Sequence, residues 1–95
     1  MIVHNLLLKL KDRSSESIDN AKNLLSTLDG NVEVIRDLKV AVDIRRAESS
    51  YDLALIARFA TKEDFQSYLV HPFHVQVGTQ LKDNIASAVS VCFED

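Results

Sequence analysis

Tyr68-Leu69-Val70-His71-Pro72-Phe73-His74 is the stretch that decides how the second half of the chain folds. Pro72 has no backbone N–H, and it biases the residue before it away from helical geometry. A helix that reaches this stretch is therefore predicted to end or kink at about Val70. Pro72 suits the first position of a new helix, where no N–H is needed, so a second helical segment is predicted over residues 72–83 with His71 as its cap.

A start signal for the first of these segments lies just upstream, in Thr61-Lys62-Glu63-Asp64. Thr61 can accept the backbone N–H of Asp64, and the Asp64 carboxylate can reach back, as in a capping box. The acidic side chains also suit the positive end of a helix dipole. The segment that begins here carries three large side chains on one face, namely Phe65, Tyr68 and Leu69.

Earlier in the chain, a first helix is predicted over about residues 15–29. Ser14 or Ser15 can cap its start, and Gly30 can end it because glycine adopts the left-handed conformation at little cost. Apolar side chains recur at helical spacing and form one stripe, namely Ile18, Ala21, Leu24, Leu25 and Leu28.

Four strands complete the pattern. Strand 1 spans residues 2–11, where alternation with period two places His4 on an otherwise apolar face. Strand 2 spans about 34–45 with a bend near Asp37, and strand 3 spans 51–60. Strand 3 is apolar on nearly both faces, which is typical of a central or covered strand. Strand 4 lies near the end of the chain and is marked by Ile85, Val89, Val91 and Phe93.

The order β-α-β-β-α-β predicts a ferredoxin-like α+β fold, with one four-stranded antiparallel sheet and both helices on one of its faces. Residues 1–95 are expected to form a single domain. Alternation places apolar side chains on the other face as well, namely Val3, Leu7, Ala54, Ile56, Ala86 and Ala88. An apolar sheet face predicts a partner, and a second copy of the chain packed sheet to sheet is the simplest one.

Charge and composition exclude several classes of partner. The 95 residues carry a formal net charge of −3, and no basic cluster is large enough to neutralise phosphates, so no nucleic acid is expected. No apolar run approaches the ~20 residues that span a bilayer, so no membrane is expected. The one cysteine, Cys92, has no internal partner and is interpreted as a buried side chain in a reducing, cytoplasmic compartment.

Taken together, these residues resemble the stress-responsive α/β-barrel (Dabb) family of dimeric α/β-barrel proteins. The strongest element is Tyr68-x-x-His71-Pro72-x-His74. It follows Phe59-Ala60-Thr61-Lys62-Glu63-Asp64, the Tyr51-Asp52-Leu53 opening of strand 3, and the early His4 with its alternating strand to Lys11. The resemblance spans nearly the whole chain and implies a homodimer in which two four-stranded sheets form a barrel with the helices outside.

The resemblance also implies site residues. A plant polyketide cyclase of this family uses a tyrosine and a histidine of the same motif in an intramolecular aldol condensation, and these fall on Tyr68 and His74. An early pocket histidine of that cyclase falls on His4, and Gly78 matches a glycine there. Phe73 stands where the cyclase has alanine, and this chain has four phenylalanines, two tyrosines and no tryptophan, whereas the cyclase pocket is lined by several aromatic side chains.

The residues themselves leave the chemistry open. Tyr68 and His74 lie about 240° apart on an unbroken helix, so the break at Pro72 is needed to bring them together. A histidine can then act as a base near neutral pH, and a tyrosine hydroxyl can stabilise an enolate oxygen. The alternative is that both side chains only pack. His4 likewise has two interpretations, as a pocket residue beside His74 or as a core histidine bonded to a backbone carbonyl.

The same residues bear on metal binding and on ion pairing. The three histidines His4, His71 and His74 offer imidazole ligands, but a proline separates the last two and no carboxylate follows at a standard spacing. No metal and no cofactor are therefore expected. Arg58 is the odd charge in strand 3, and it is interpreted as a partner of Asp43 or Asp52 across the dimer face, or as a ligand for an anion.

Two functional hypotheses follow from this sequence. The first is a cofactor-free cyclase or lyase-type enzyme that acts on a small carbonyl compound, with His74 as general base, Tyr68 as acid or oxyanion donor, and His4 shaping the pocket. The second is a non-catalytic, stress-associated dimer that binds a ligand or serves as a stable structural protein. A cavity between the second helix and the sheet discriminates between them, because the enzymatic hypothesis weakens if Leu69 and Phe73 fill it.

Overall fold

The computed structural model describes all residues from Met1 to Asp95. In chain order its elements are β1 (Ile2–Leu10), α1 (Ser15–Ser26), β2 (Asp37–Val42), β3 (Leu53–Phe59), α2 (Lys62–Val70), α3 (Pro72–Leu81), a 3₁₀ turn (Lys82–Asn84) and β4 (Ile85–Glu94). The strands form one antiparallel sheet in the order β2-β3-β1-β4. The predicted ferredoxin-like α+β fold is confirmed. None of the helices is both long and apolar enough to cross a membrane.

The break between α2 and α3 has the form that the sequence predicts. Thr61 Oγ1 accepts the backbone N–H of Asp64 at 3.1 Å, which caps the start of α2. Helix α2 ends at Val70, and Pro72 is the first residue of α3. His71 Nδ1 accepts the backbone N–H of Phe73 at 3.0 Å, so His71 caps α3 as predicted. Helix α3 ends earlier than predicted and passes into the 3₁₀ turn.

Helix α1 is shorter than its sequence pattern indicates. Ser14 is the cap, with its hydroxyl accepting the backbone N–H of Ser17 at 3.2 Å. The helix ends at Ser26 rather than at residue 29, because the chain continues as a series of tight turns with i→i+3 backbone bonds. Gly30 lies at the end of these turns with a φ of 84°, the left-handed conformation that glycine adopts at little cost.

The hydrophobic core lies between the helices and one face of the sheet. Strand β3 is central, and its alternate side chains are buried in this core, namely Leu53, Leu55, Ala57 and Phe59. Strand β1 contributes Ile2, Leu8 and Leu10, and the helices contribute Ile18, Ala21, Leu25, Tyr68, Val77 and Leu81. Apolar side chains repeat every second residue in the strands and about every 3.6 residues in the helices. Both sets of side chains are therefore buried together in one layer.

Strand β2 is shorter than predicted. It spans Asp37–Val42 rather than residues 34–45. Val32 is 2% exposed, and Val34 and Ile35 pack partly buried against the core. A turn that bonds the Ile35 N–H to the Val32 carbonyl lets these side chains reach the core, which an extended strand would not allow.

A β-bulge overturns part of the predicted open sheet face. Lys9 pairs with Ser87 and Leu10 pairs with Ile85, so Ala86 is an extra residue in β4. One extra residue moves the following side chains to opposite faces. Ala88 therefore lies opposite Leu8 on the helix side. The face away from the helices, here called the open face, carries Val3, Leu7, Ala54, Ile56, Val89, Val91 and Phe93.

One further prediction at the sheet is wrong. Cys92 is exposed rather than buried, since nearly all of β4, on both of its faces, remains accessible in this chain. Arg58 contacts the Asp95 carboxylate at 3.7 Å within the chain and not Asp52, and its pairing with Asp43 across the dimer face stays a prediction. The Asp52 carboxylate is bound instead by Arg13, whose Nε donates to Oδ1 at 2.9 Å.

Candidate functional site

The break at Pro72 brings Tyr68 and His74 together. Tyr68 projects from the last turns of α2 and His74 from the first turn of α3. Their ring centroids lie 4.3 Å apart, with the ring planes inclined at 48°. On one continuous helix, side chains six residues apart would point in different directions. The proline therefore creates this pair, as the sequence suggested it could.

The hydrogen bond of His74 fixes which of its nitrogens is free. Its Nδ1 lies 3.1 Å from the carbonyl oxygen of Leu69. A carbonyl oxygen can only accept, so Nδ1 carries the proton and donates it. In the neutral ring, Nε2 is then left with the basic lone pair. The arrangement is that of an imidazole oriented for proton transfer through Nε2.

Burial keeps the His74 imidazole neutral. Removal from water lowers the pKa of His74 below its usual 6.5, and the nearby His71 acts in the same direction, although the bond to Leu69 opposes them. A lowered pKa means that the ring is unprotonated at pH 7. His74 can therefore take up a proton without first losing one.

Tyr68 offers a hydroxyl that keeps its own proton. Its side chain is 1% exposed, and burial alone raises the pKa of Tyr68 to about 12. No hydrogen bond to another group of the chain contributes to that shift. Tyr68 is thus a neutral O–H donor whose bonding capacity is left for something outside the chain.

His4 lies on the other side of Tyr68 and carries an unpaired nitrogen. Its ring centroid is 5.0 Å from that of Phe65 and 6.2 Å from that of Tyr68. Its Nδ1 is buried and has no hydrogen-bond partner, so the alternative of a core histidine with Nδ1 bonded to a carbonyl is wrong. Burial lowers the pKa of His4, and the neighbouring His74 lowers it further. An unsatisfied buried polar atom is costly and uncommon in folded proteins.

A small cavity lies beside the Tyr68–His74 pair. Its volume is 80 Å³. Apart from Tyr68, His74 and Gly78, its walls are aliphatic, namely Leu6, Leu8, Leu25, Leu28, Leu55, Val77, Leu81 and Ile85. Neither Leu69 nor Phe73 is among the lining residues, so these side chains do not fill the space. His4 is also absent from the walls, and it reaches the cavity only through its contact with Tyr68.

Sequence reasoning missed most of the cavity walls. Leu25 and Leu28 belong to the predicted apolar stripe of the first helix, no role was predicted for Val77 or Leu81, and no pattern indicated that a space would remain between them. The one signal was Gly78, a glycine inside a helix, where a larger residue would normally be preferred.

His71 takes no part in this pair. Its Nδ1 caps α3, and its Nε2 lies 3.3 Å from the carboxylate of Glu33. No group of three or more His, Cys, Asp or Glu side chains lies close enough to hold a metal ion. The two ring nitrogens of His71 are thus both engaged in the structure, whereas one nitrogen of His4 is not.

A sequence model of the stress responsive A/B barrel domain (Dabb) matches residues 2–95. The chain belongs to this family. Its fold matches a dimeric protein of unknown function from Bacteroides fragilis, with 25% identity, a TM-score of 0.84 and coverage of 99% of this chain and 95% of that one. A dimeric ferredoxin-like protein of unknown function from Thermobifida fusca has 23% identity and a TM-score of 0.86, covering 99% and 90%.

An enzyme is also among the similar structures. The hydroxynitrile lyase of Passiflora edulis is 14% identical, with a TM-score of 0.81 over 97% of this chain and 90% of that one. At that identity the likeness concerns the Dabb fold alone. No curated protein matches this chain. The comparisons therefore establish the family and the architecture.

Proposed function

We propose that this Dabb protein is a homodimer in which each subunit acts on a small carbonyl compound as a cofactor-free, cyclase- or lyase-type enzyme. The observation that carries this proposal is the Tyr68–His74 pair, with ring centroids 4.3 Å apart beside an 80 Å³ cavity. One member is a neutral base with a free Nε2, and the other is a neutral O–H donor. These are the two groups that enolate chemistry needs.

The roles follow from the protonation states. His74 Nε2 removes the proton from the carbon next to the carbonyl, which gives an enolate that forms the new C–C bond. In a lyase-type step it removes the hydroxyl proton of a β-hydroxy carbonyl compound instead, so that a new carbonyl forms as the C–C bond breaks and the other fragment leaves as an enolate. The Tyr68 hydroxyl donates a hydrogen bond to the carbonyl oxygen and stabilises the negative charge that develops there. Because both groups start neutral, no charge has to be buried before the substrate arrives. His74 then returns its proton to the product.

His4 acts in this proposal as a positioning residue. It does not line the cavity, but its ring packs beside Tyr68 with a centroid distance of 6.2 Å. Truncating it would leave Tyr68 free to shift relative to His74. A small displacement of a reacting group is enough to slow catalysis substantially. Loss of His4 is therefore expected to lower kcat while leaving the pKa of the His74 base recognisable in the pH profile.

The open face supports the homodimer. Val89, Val91 and Phe93 are 47%, 60% and 47% exposed there, which is unusual for a contiguous apolar surface. The similar proteins from B. fragilis and T. fusca are described as dimeric. Val91→Lys would place a charge in the middle of this surface, and the expected result is a monomer in sedimentation analysis. A cytoplasmic location fits the single, unpaired cysteine.

The experiment that tests the enzymatic proposal is a substrate screen combined with two variants. Uncharged carbonyl compounds of increasing size, from acetone up to small β-keto and phenolic compounds, are offered to the protein while the ring protons of its three histidines are followed by NMR. For a compound that turns over, His74→Ala and Tyr68→Phe should each lower kcat/KM by about 10²–10⁴-fold, the usual contribution of a general base or a charge-stabilising donor. Gln76→Ala, an exposed position on α3 away from the cavity, is the control.

A second candidate function is a non-catalytic, stress-associated dimer that binds a ligand or is simply stable. The observation that favours it is the size of the cavity, because 80 Å³ is well below the ~300–1,000 Å³ of ordinary ligand sites. If this second function is correct, His74→Ala should leave every property of the protein intact except its stability. Absence of turnover with every compound, together with a His74→Ala variant that differs only in stability, would decide for it. Full turnover in His74→Ala, or a pH–rate profile with no limb at or below the usual histidine pKa, would instead exclude His74 as the base.

A further inference from the structure

Resting on the proposed site, we infer that the cavity accepts only uncharged carbonyl compounds of about four non-hydrogen atoms, and that Gly78 keeps its entrance open. This goes beyond the reaction type to the size and charge of the substrate. It also assigns a specificity-determining role to a residue that takes no part in the chemistry. Three features of the cavity carry the inference, and each is a property of its own walls.

The first feature is volume. The cavity measures 80 Å³, whereas a cavity of about 150 Å³ accommodates benzene with its six carbons. Simple proportion leaves room for about three or four non-hydrogen atoms. The walls are leucine, isoleucine and valine side chains held in the core between the helices and the sheet. Packed cores of this kind resist expansion, so a longer chain would have to displace core side chains.

The second feature is the absence of charge. No Lys, Arg, Asp or Glu side chain lines the cavity. Its two polar residues, Tyr68 and His74, are both neutral at pH 7, since burial raises the pKa of the first and lowers that of the second. A carboxylate entering this space would lose its hydration and meet no cation. A neutral carbonyl oxygen needs only the hydrogen bond that Tyr68 can donate.

The third feature is the glycine in α3. Gly78 lies within the helix, four residues after His74, so both lie on the same helix face. A Cβ added there would meet no atom within 4 Å, and its φ is not in the left-handed region. Neither backbone conformation nor packing therefore requires glycine, and alanine is the better helix former. Gly78 is exposed and also borders the cavity, which places it at the cavity mouth.

The test of size and charge compares three probes of stated chemistry by NMR. Acetone and acetate have the same shape and number of non-hydrogen atoms but differ in charge, and 2-octanone adds a long chain to the same carbonyl. The expected result is that acetone shifts the ring protons of His74 saturably. Acetate and 2-octanone should do so at least tenfold more weakly. Acetate or 2-octanone binding at His74 as well as acetone would overturn the inference while leaving the proposed site intact.

The test of the entrance uses matched substitutions on one helix. Gly78→Ala and Gly78→Leu add a small and a large side chain at the cavity mouth, and Gln76→Leu adds the same large side chain at an exposed position away from it. Acetone affinity should fall modestly in the first, at least tenfold in the second, and not at all in the third. Unchanged affinity in Gly78→Leu would overturn the role of Gly78. If no probe shifts His74 in the unaltered protein, the proposed function fails and the inference fails with it.

Discussion

Two groups of buried polar side chains lie against the same sheet, and they differ in how well their hydrogen bonds are satisfied. At one end, the fully buried Asp52 accepts from the backbone N–H of Leu10 at 2.8 Å and from Arg13. Arg13 in turn donates to the carbonyls of Ala47 and Ser50 at 2.9 and 3.0 Å. This group, here called the Asp52 cluster, ties the end of β1 to the start of β3.

At the other end, each side chain keeps a polar atom that has no hydrogen-bond partner in the chain. The His4 cluster consists of His4, Tyr68 and His74. His4 Nδ1 is buried and unpaired, and the Tyr68 hydroxyl has no hydrogen-bonded partner in the chain that affects its pKa. The Nδ1–H of His74 is used, which leaves Nε2 open. Buried polar groups that are fully bonded rigidify a fold, whereas unbonded ones are costly. The difference points to structure at the first end and to function at the second.

The largest expected effect is at the Asp52 cluster. Asp52→Ala removes the acceptor of both the Leu10 N–H and Arg13 Nε, leaving a buried N–H without an acceptor and a partly buried guanidinium without its counter-ion. The free energy of unfolding should fall by about 3–5 kcal/mol, as when one member of a buried pair is removed. Urea denaturation measures it. Asp19→Ala, at an exposed position of α1, is the control. If Asp52→Ala lowers the free energy of unfolding no more than this control does, the Asp52 cluster does not stabilise the fold.

A smaller effect of opposite sign is expected at the His4 cluster. His4→Phe replaces an unsatisfied imidazole by an apolar ring that can still pack on Phe65. The free energy of unfolding should rise by about 1–3 kcal/mol, the penalty of an unpaired buried polar group. The same change at the fully bonded histidine, His71→Phe, should instead lower stability by about 1 kcal/mol, because the cap of α3 is lost. If His4→Phe lowers the free energy of unfolding instead, His4 Nδ1 has a hydrogen-bond partner in solution. Both clusters would then consist of hydrogen-bonded side chains.

The smallest effect is the pH dependence of stability. Burial lowers the pKa values of both His4 and His74 from 6.5 on folding, so below pH 6.5 the unfolded chain binds more protons than the folded one. Stability should therefore be complete above pH 6.5 and should fall as the pH drops through the folded pKa values, by at most about 1.4 kcal/mol per pH unit for each histidine.

Urea midpoints measured between pH 7.5 and 5 test this slope. His4→Phe should flatten it partly, and the double variant with His74→Gln should flatten it further. If neither variant changes the slope, groups other than His4 and His74 take up the protons. The burial of these two histidines then does not set the pH dependence of stability.

Local signals predicted the elements well where one residue dominates the geometry. Pro72 fixed the start of α3 because a ring without an N–H suits that position, and Thr61 and Ser14 fixed the starts of the other helices through their hydroxyls. Predictions failed where a tertiary contact competes with a local pattern. Residues 34–36 alternate weakly like a strand, but burial of Val34 and Ile35 against the core turns them away from the sheet.

The candidate site was predicted in its residue identities and not in its arrangement. Tyr68 and His74 could be selected from the motif, and their proximity depended on a helix break whose angle no sequence pattern specifies. The partner of Asp52 was missed altogether, because Arg13 is 39 residues away in the chain. The bulge at Ala86 was missed for the same reason, since it depends on the register between β1 and β4.

The sequence by itself therefore determined the order of the strands and helices, the caps, the break at Pro72 and the family. These depend on the φ of proline, on hydroxyl caps and on periodicity, which act over a few neighbouring residues. Only the tertiary structure decided which face of β4 is apolar, which charges pair, and that an 80 Å³ cavity remains beside Tyr68 and His74. These depend on strand register and on the fit of distant side chains, where a shift of one residue reverses a face and incomplete packing leaves a space.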